Sequence, residues 1–235
     1  VQVNVPGPPI LCNLPTEPVP DYLDWDLYLG PAPWRPYHSR MHPGSGRYIH
    51  YGGGGLTDWG HHFFDVAQWG LKMDHTGPVD AIPSDGKENV YPTFTYANGI
   101  RMKVKILSED RSEAGTVFYG TKGKIFIQAW EDVVEYEPLE LRYLYYEHAK
   151  SLKRSTPEVQ LVNNHLVNFL DCIRSRQTPN ADVAIGCNSV IIPHLAIILL
   201  RLNRYLRWDP DNREFLNDDL ANRYLTASSR APWRL

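Results

Sequence analysis

Residues 6–46 hold ten of the chain's 19 prolines and two of its seven tryptophans, in stretches such as GPAPWRPYHSRMHPGSG over 30–46. Proline at that density excludes a long helix or a sheet ladder, because each ring removes an N–H that either would need. Disorder is excluded too, since disordered segments are poor in the Trp, Tyr and Leu that are interleaved here. The segment, taken as residues 6–50, is therefore expected to be an ordered extended arm lying over the rest of the protein. The VQVNV alternation of residues 1–5 predicts a short strand before it.

At 235 residues the chain suits one large domain, taken as 1–235. A net charge of −3 supplies no electrostatic reason for a nucleic-acid partner. The longest apolar run, 190–202, is interrupted by Pro193 and His194 and falls short of the ~20 residues a bilayer span needs. It is expected as a buried core helix, and no membrane partner is expected. The three cysteines, Cys12, Cys172 and Cys187, form no CxxC, which argues against structural zinc or a disulfide framework and favours a reducing compartment. The chain opens on what reads as a strand entered in mid-protein, with no signal peptide. A cytoplasmic location is expected, or a periplasmic one if a leader has been lost.

The remainder divides by periodicity. A glycine-led helix occupies 52–73, regular from about Asp58 and ended by the 74–78 breaker. A sheet follows over 79–148, with strands at 79–82, 91–97 and 100–107, the last two flanking Asn98-Gly99, a strong hairpin signal. Residues 115–119 and 124–128 form a second hairpin, and 131–148 add one or two edge strands. Along 100–107 Ile100, Met102, Val104 and Ile106 alternate with Arg101, Lys103 and Lys105, so one face meets helices and the other meets water or a partner. Helices at 159–176 and 185–206 fill 156–206, and a tail over 207–235 wraps the domain with a short helix near 218–224. The predicted class is α+β: an open, mostly antiparallel sheet covered on one face by helices.

Chemistry concentrates in GGGGLTDWGHHFFDVAQWG, residues 52–70. On a helix Asp58, His62, Asp65 and Trp69 fall on one stripe, and a carboxylate one turn before an imidazole can orient a general acid/base. The glycines would let backbone approach a ligand closely. Asp58 and His62 are expected in one hydrogen-bonded network at the mouth of a cleft, with His62 open to solvent. Against this stands a structural reading: Asp58 complements the helix dipole and His62 is a satisfied, half-buried histidine. The run is not a dinucleotide fingerprint, since Thr57 and Asp58 stand where its third glycine belongs, and no Walker sequence occurs. A metal reading would use Asp58, His61, His62 and Asp65, with His38, His42 and His50 upstream, but no HExxH-like signature forms and no metal is assigned.

In the arm, Trp25, Trp34 and Tyr37 with Arg35 and Arg40 have the character of a sugar site, where rings stack on C–H faces and guanidinium groups bind hydroxyls or carboxylates. The opposing reading makes Pro-Trp segments structural clamps. It is preferred for Trp25 and Trp34, while Arg35, Tyr37 and Arg40 stay open. His165 sits among apolar helix positions, and His194 is expected to be buried and hydrogen-bonded.

GGGGLTDWGHHFFD resembles the G-G-G-x-L-x-D-x-G-x-H-x-x-D motif of the Gfo/Idh/MocA oxidoreductases, at Gly52, Gly53, Gly54, Leu56, Asp58, Gly60, His62 and Asp65. LDWDLYLGPAPWRPY (23–37), WGLKMDHTGPV (69–79), TYANGIRM (95–102), NFLDCIRSRQTPNADVAIG (168–186) and RAPWRL (230–235) resemble one bacterial branch of that family. The resemblance implies a C-terminal substrate and oligomerisation domain, normally paired with an N-terminal Rossmann domain that this chain lacks. It implies NAD or NADP in the complete enzyme, with no cofactor bound by this chain alone. Asp58 and His62 would face nicotinamide and the substrate hydroxyl, assisted by a lysine of a Glu-Lys-Pro motif that does not occur here. The substrate would be a carbohydrate or polyol, with Arg35, Tyr37, Arg40, His61 and His165 as binding candidates, and the sheet face would build a homo-oligomer. A variant of this chemistry is a glycosidase that oxidises, eliminates and reduces again. Two other classes stay open: a non-catalytic binding or oligomerisation module, and a cofactor-independent lyase or hydratase on an oxidised sugar, with or without a metal at Asp58 and His62.

Overall fold

A computed structural model of the chain describes residues 1–87, 89–108, 110–128, 134–144 and 157–233, with 157–164 described as backbone only. Nine strands form one sheet among the described residues: β1 Gln2–Val5, β2 Asp80–Ile82, β3 Thr93–Thr95, β4 Arg101–Ile106, β5 Gly115–Gly120, β6 Gly123–Gln128, β7 Val134–Glu137, β8 Leu206–Asp209 and β9 Glu214–Phe215. Their order is β7-β6-β5-β1-β4-β3-β2-β8-β9. Only β1 and β4 run parallel; every other pair is antiparallel. The class is therefore the expected α+β, mostly antiparallel sheet. Part of the edge-strand expectation (131–133 and 145–148) lies outside the described residues, as does residue 156 at the start of the helical region.

Local chemistry explains the hairpins. Gly99 takes φ +83°, and Asn98 folds its side-chain oxygen onto the N–H of Ile100 at 3.0 Å, an Asx turn between β3 and β4. Alternation then sorts the faces. Val3, Val5, Phe94, Met102 and Val104 are buried against the helices, while Arg101 and Lys103 stand exposed on the other side.

The helical layer is α2 Gly54–Asp58, α3 Gly60–Leu71 and α5 Val183–Leu202, with a five-residue helix, α1 Trp25–Leu29, in the arm, α4 Pro157–Ser175, and α6 Asp219–Asn222 in the tail. Several expectations are corrected. The single helix over 58–73 is two helices broken at Trp59, and it stops where Lys72 turns left-handed at φ +58°. The helix expected to reach 206 ends at Leu202 because Asn203 takes φ +46°. Leu206 instead begins β8, whose Leu206 and Trp208 are buried around an exposed Arg207, so the tail supplies two strands as well as a wrap.

Over 18 of its 20 residues α5 has mean hydropathy 2.2, long and apolar enough by length and composition to cross a bilayer, contrary to the reading of the shorter run. Here Ile192, Leu195, Ala196 and Leu199 are buried in the core, and the helix packs against α3, α2 and β2. The apolar stripe of α4 behaves otherwise: Leu166, Phe169, Leu170 and Ile173 stay 47% to 57% exposed, although their spacing suggested a core face.

The arm carries its own small core of Trp25, Leu29, Tyr37, Met41 and Tyr48. Trp25 stacks on Tyr28 at 5.3 Å, meets Tyr37 edge-on at 5.1 Å and donates its indole N–H to the Arg35 carbonyl at 2.8 Å. The tail fastens it: Arg230 pairs with the Asp26 carboxylate at 2.7 Å and donates to the Ala32 and Asp26 carbonyls.

Gln68 of α3 is fully buried and fully used. Its amide donates to the carbonyls of Met73 (3.0 Å) and Thr76 (2.9 Å), holding the loop that ends the helix, and its oxygen accepts from the Tyr96 hydroxyl at 2.5 Å. Burial pushes the Tyr96 phenol well above its ordinary value. Gln68→Leu would leave the Tyr96 hydroxyl and the Thr76 carbonyl unpaired, each costing about 1–3 kcal/mol with partial relief from water, while the Met73 carbonyl keeps the Thr76 N–H at 3.1 Å. We expect roughly 2–5 kcal/mol of destabilisation, seen as a lowered urea midpoint, and a loss of about 1 kcal/mol for Tyr96→Phe.

Candidate functional site

The glycine run is first a chain crossing. Gly54 takes φ +63°, and a methyl group there would stand 2.7–2.9 Å from the Pro8 and Pro9 backbone. One at Gly52 would stand 2.4 Å from the Gly46 carbonyl oxygen. The close approach expected for a ligand is thus made by the arm's own backbone, and the Gly7 carbonyl also accepts from the N–H of Leu56 at 3.1 Å. Leu56 is fully buried and fixes α2 on the core.

At Trp59 the backbone keeps helical dihedrals, φ −83° and ψ −31°, but the His62 N–H turns to the Trp59 carbonyl at 3.2 Å. A continuous helix would set Asp58 below His62; instead the ring of His61 turns back, its Nδ1 standing 2.8 Å from the Asp58 main-chain oxygen. No hydrogen bond joins the Asp58 carboxylate to His62. The His62 ring lies against His61 at 3.9 Å and against Trp59 at 5.8 Å, and it is exposed, as is Asp58. Desolvation pulls the His62 imidazole below its ordinary value and the His61 ring adds to this, while Asp65 and then Asp58 push it back up. Asp65 is itself held, accepting from the Ser189 hydroxyl of α5 at 2.5 Å. His62 is therefore a solvent-open imidazole kept mostly neutral at neutral pH, with a positioned carboxylate on the following turn: suited to accept a proton. Asp65 stood on the predicted stripe and was visible there; Ser189 was not, because only the packing of α5 on α3 brings it in.

A family model described as the oxidoreductase family's C-terminal alpha/beta domain matches residues 11–235. The chain belongs to the Gfo/Idh/MocA oxidoreductase family. No curated protein matches it.

The other candidates of this Gfo/Idh/MocA domain fall elsewhere. Arg35 is occupied as a clamp: it donates to the carbonyls of Leu14 (3.0 Å), Pro36 (3.1 Å) and Cys12 (3.4 Å) and touches the Cys12 sulfur. Tyr37 is 6% exposed in the arm's core. Trp25 is a clamp as expected, whereas Trp34 is 60% exposed. Arg40 and His165 are exposed, and no hydrogen bond, ion pair or ring contact ties either to Asp58 or His62. Thus Asp58, His61 and His62 are brought together; Arg35 and Tyr37 are spent on the arm. Of the upstream histidines, His38 is buried against Glu17 at 3.2 Å and His42 stands edge-on to Tyr28 at 4.8 Å. Among the described residues no three His, Cys, Asp or Glu side chains converge as a metal-ligand set.

Among the described residues the one parallel strand pair, β1 and β4, is not followed by a glycine loop opening a helix, and the glycine run is filled by the arm.

The Coulomb ordering makes a measurable claim. In a proton NMR titration His62 should titrate below the ordinary histidine value, and Asp65→Asn should lower it further than Asp58→Asn does.

Proposed function

We propose that this chain is the substrate-side domain of an NAD(P)-dependent oxidoreductase acting on a sugar or polyol hydroxyl, with His62 as the proton acceptor. The observation that carries it is the histidine of the family motif, open to solvent and held below its ordinary pKa beside two carboxylates. A base must be neutral to accept a proton, and His62 is neutral over more of the pH range than a free imidazole. The Asp58 carboxylate makes no hydrogen bond within the described chain and is free to accept one from a substrate hydroxyl; Asp65, fixed by Ser189, stabilises the imidazolium once it forms. The nicotinamide that would accept the hydride belongs to a nucleotide domain outside these 235 residues. What this chain contributes is proton transfer and substrate orientation.

In the complete enzyme, His62→Ala should lower kcat by about 10²–10⁴-fold with little change in KM. In the unaltered enzyme kcat/KM should fall as pH drops through the His62 pKa, an acid limb lying below 6.5 because the shift is downward. A limb above that value, or an unchanged kcat in the alanine variant, would remove His62 from the mechanism.

We also infer that the outer sheet face joins copies of the chain. Like charges across a twofold axis repel, and three lysines and arginines on β4 would forbid it unless neutralised. Part of that neutralisation is internal: Lys105 pairs with Glu113, and on β6 Lys124 pairs with Glu137 at 2.5 Å, while Arg101 donates to the neutral Asn89 amide at 3.0 Å and keeps its charge. Asp110 is an exposed acid that accepts from the N–H of Ser112, and Glu109, Glu131 and Asp132 lie outside the described residues. Light scattering at micromolar concentration should give at least twice the chain mass of 27.0 kDa; a mass of one chain would refute the interface.

A further inference from the structure

One cleft lies beside the motif glycines Gly52 and Gly53 rather than at Asp58, His61 and His62. It encloses about 800 Å³ between the end of the arm, the outer side of α5 and the tail, and none of those three residues lines it. Its size is that of a small-molecule site. One wall is aliphatic, from Ile191, Leu195 and Ile198 of α5. Its polar side chains include Arg201, which carries positive charge, and His50 and His194, whose rings can donate hydrogen bonds; desolvation lowers the His194 imidazole below its ordinary value, and among the described residues no carboxylate lines the cleft.

Arg201 is the unusual member. Here the nearby Asp218 is taken by Arg204, bidentate at 2.5 and 2.8 Å, and Arg201 lies instead over the Tyr224 ring at 4.9 Å. Among the described residues it has no ion pair. A guanidinium stacked on an aromatic ring is held in place while its N–H fork stays available, which lowers the cost of ordering it around an incoming anion. His194, expected to be buried and hydrogen-bonded, is neither: its ring is open to the cleft and makes no hydrogen bond in the described chain. A second donor of hydrogen bonds thus faces the same space one to two turns before Arg201.

We propose that this cleft binds a small organic anion, its carboxylate or phosphate on the Arg201 fork beside His194 and its apolar or ring-shaped body on the Ile191–Leu195–Ile198 wall. Charge complementarity selects the anion, since the lining offers donors and positive charge with no competing acid. The aliphatic wall selects a ligand with a body over a bare inorganic ion.

Calorimetric titration of the chain with benzoate, phenyl phosphate, benzyl alcohol and inorganic phosphate tests both halves. Benzoate or phenyl phosphate should bind with a Kd below about 1 mM, and the tighter of the two assigns the headgroup. Benzyl alcohol, lacking charge, and inorganic phosphate, lacking the body, should bind at least about tenfold more weakly. Arg201→Leu, at an exposed position where folding is not at stake, should weaken the anions by about tenfold or more and leave benzyl alcohol unchanged, with an unaltered circular dichroism spectrum as the control. Equal binding of benzyl alcohol and benzoate, or anion binding that survives Arg201→Leu, overturns the assignment. So does the absence of binding by all four probes at about 5 mM, which would give the cleft to a protein segment instead.

Discussion

Everything in this fold hangs on a strand of four residues. β1, Gln2–Val5, is hydrogen-bonded on one side to β4 and on the other to β5, and no other strand bridges them. Without it the sheet would part into β5–β7 and a second block of β4, β3, β2, β8 and β9. The parallel pairing with β4 requires a crossover connection, which is supplied by the arm, the motif helices and the first hairpin strands. The site's helix is seated on the same strand. Gly60 lies so close to Val5 that a methyl group there would sit 3.3 Å from its side chain, and the Thr116 hydroxyl of β5 donates to the Phe63 carbonyl at 2.8 Å. Burial of Val3, Val5, Leu56, Phe63 and Phe64 in one cluster thus sets both the sheet and the direction in which His62 points.

Where local chemistry dominates, the sequence was a sufficient guide. Asn98-Gly99 dictates its turn through a side-chain hydrogen bond and a positive φ, both local, and the alternation in β4 dictates its faces by burial alone. The motif of residues 52–65 named the family on identities that need no structure. What stayed hidden depended on other parts of the chain. Arg35 reads as a sugar ligand until Cys12 and Leu14 present their carbonyls to it. Asp65 gains its place only when α5 brings Ser189 alongside. The strand at 206–209 was hidden behind the long apolar helix that precedes it, and Asn203, a residue that tolerates left-handed backbone, was the signal that could have stopped that helix. The periodicity of α4 identified an apolar stripe correctly but carries no information on what covers it, and among the described residues the stripe is half open.

The helix break at Trp59 has an electrostatic consequence. In an unbroken helix Asp58 would be the natural partner of His62, and the imidazole would be pulled toward its charged form by a hydrogen-bonded carboxylate. The break spends Asp58's main-chain oxygen on His61 and sets the His61 ring against His62, where it opposes a second positive charge. Two lowering influences, desolvation and His61, then stand against two raising ones, Asp65 and Asp58. The balance is struck with His62 facing water. Covering that face with a substrate and a second body removes water and strengthens every one of these interactions, since each scales inversely with the local dielectric. Desolvation then disfavours the imidazolium more, while the carboxylates favour it more. In the role proposed for His62, a base that must be neutral before reaction and charged after it would be served by that opposition: the free ring would stay deprotonated, and the proton it took would be held by Asp65 and Asp58.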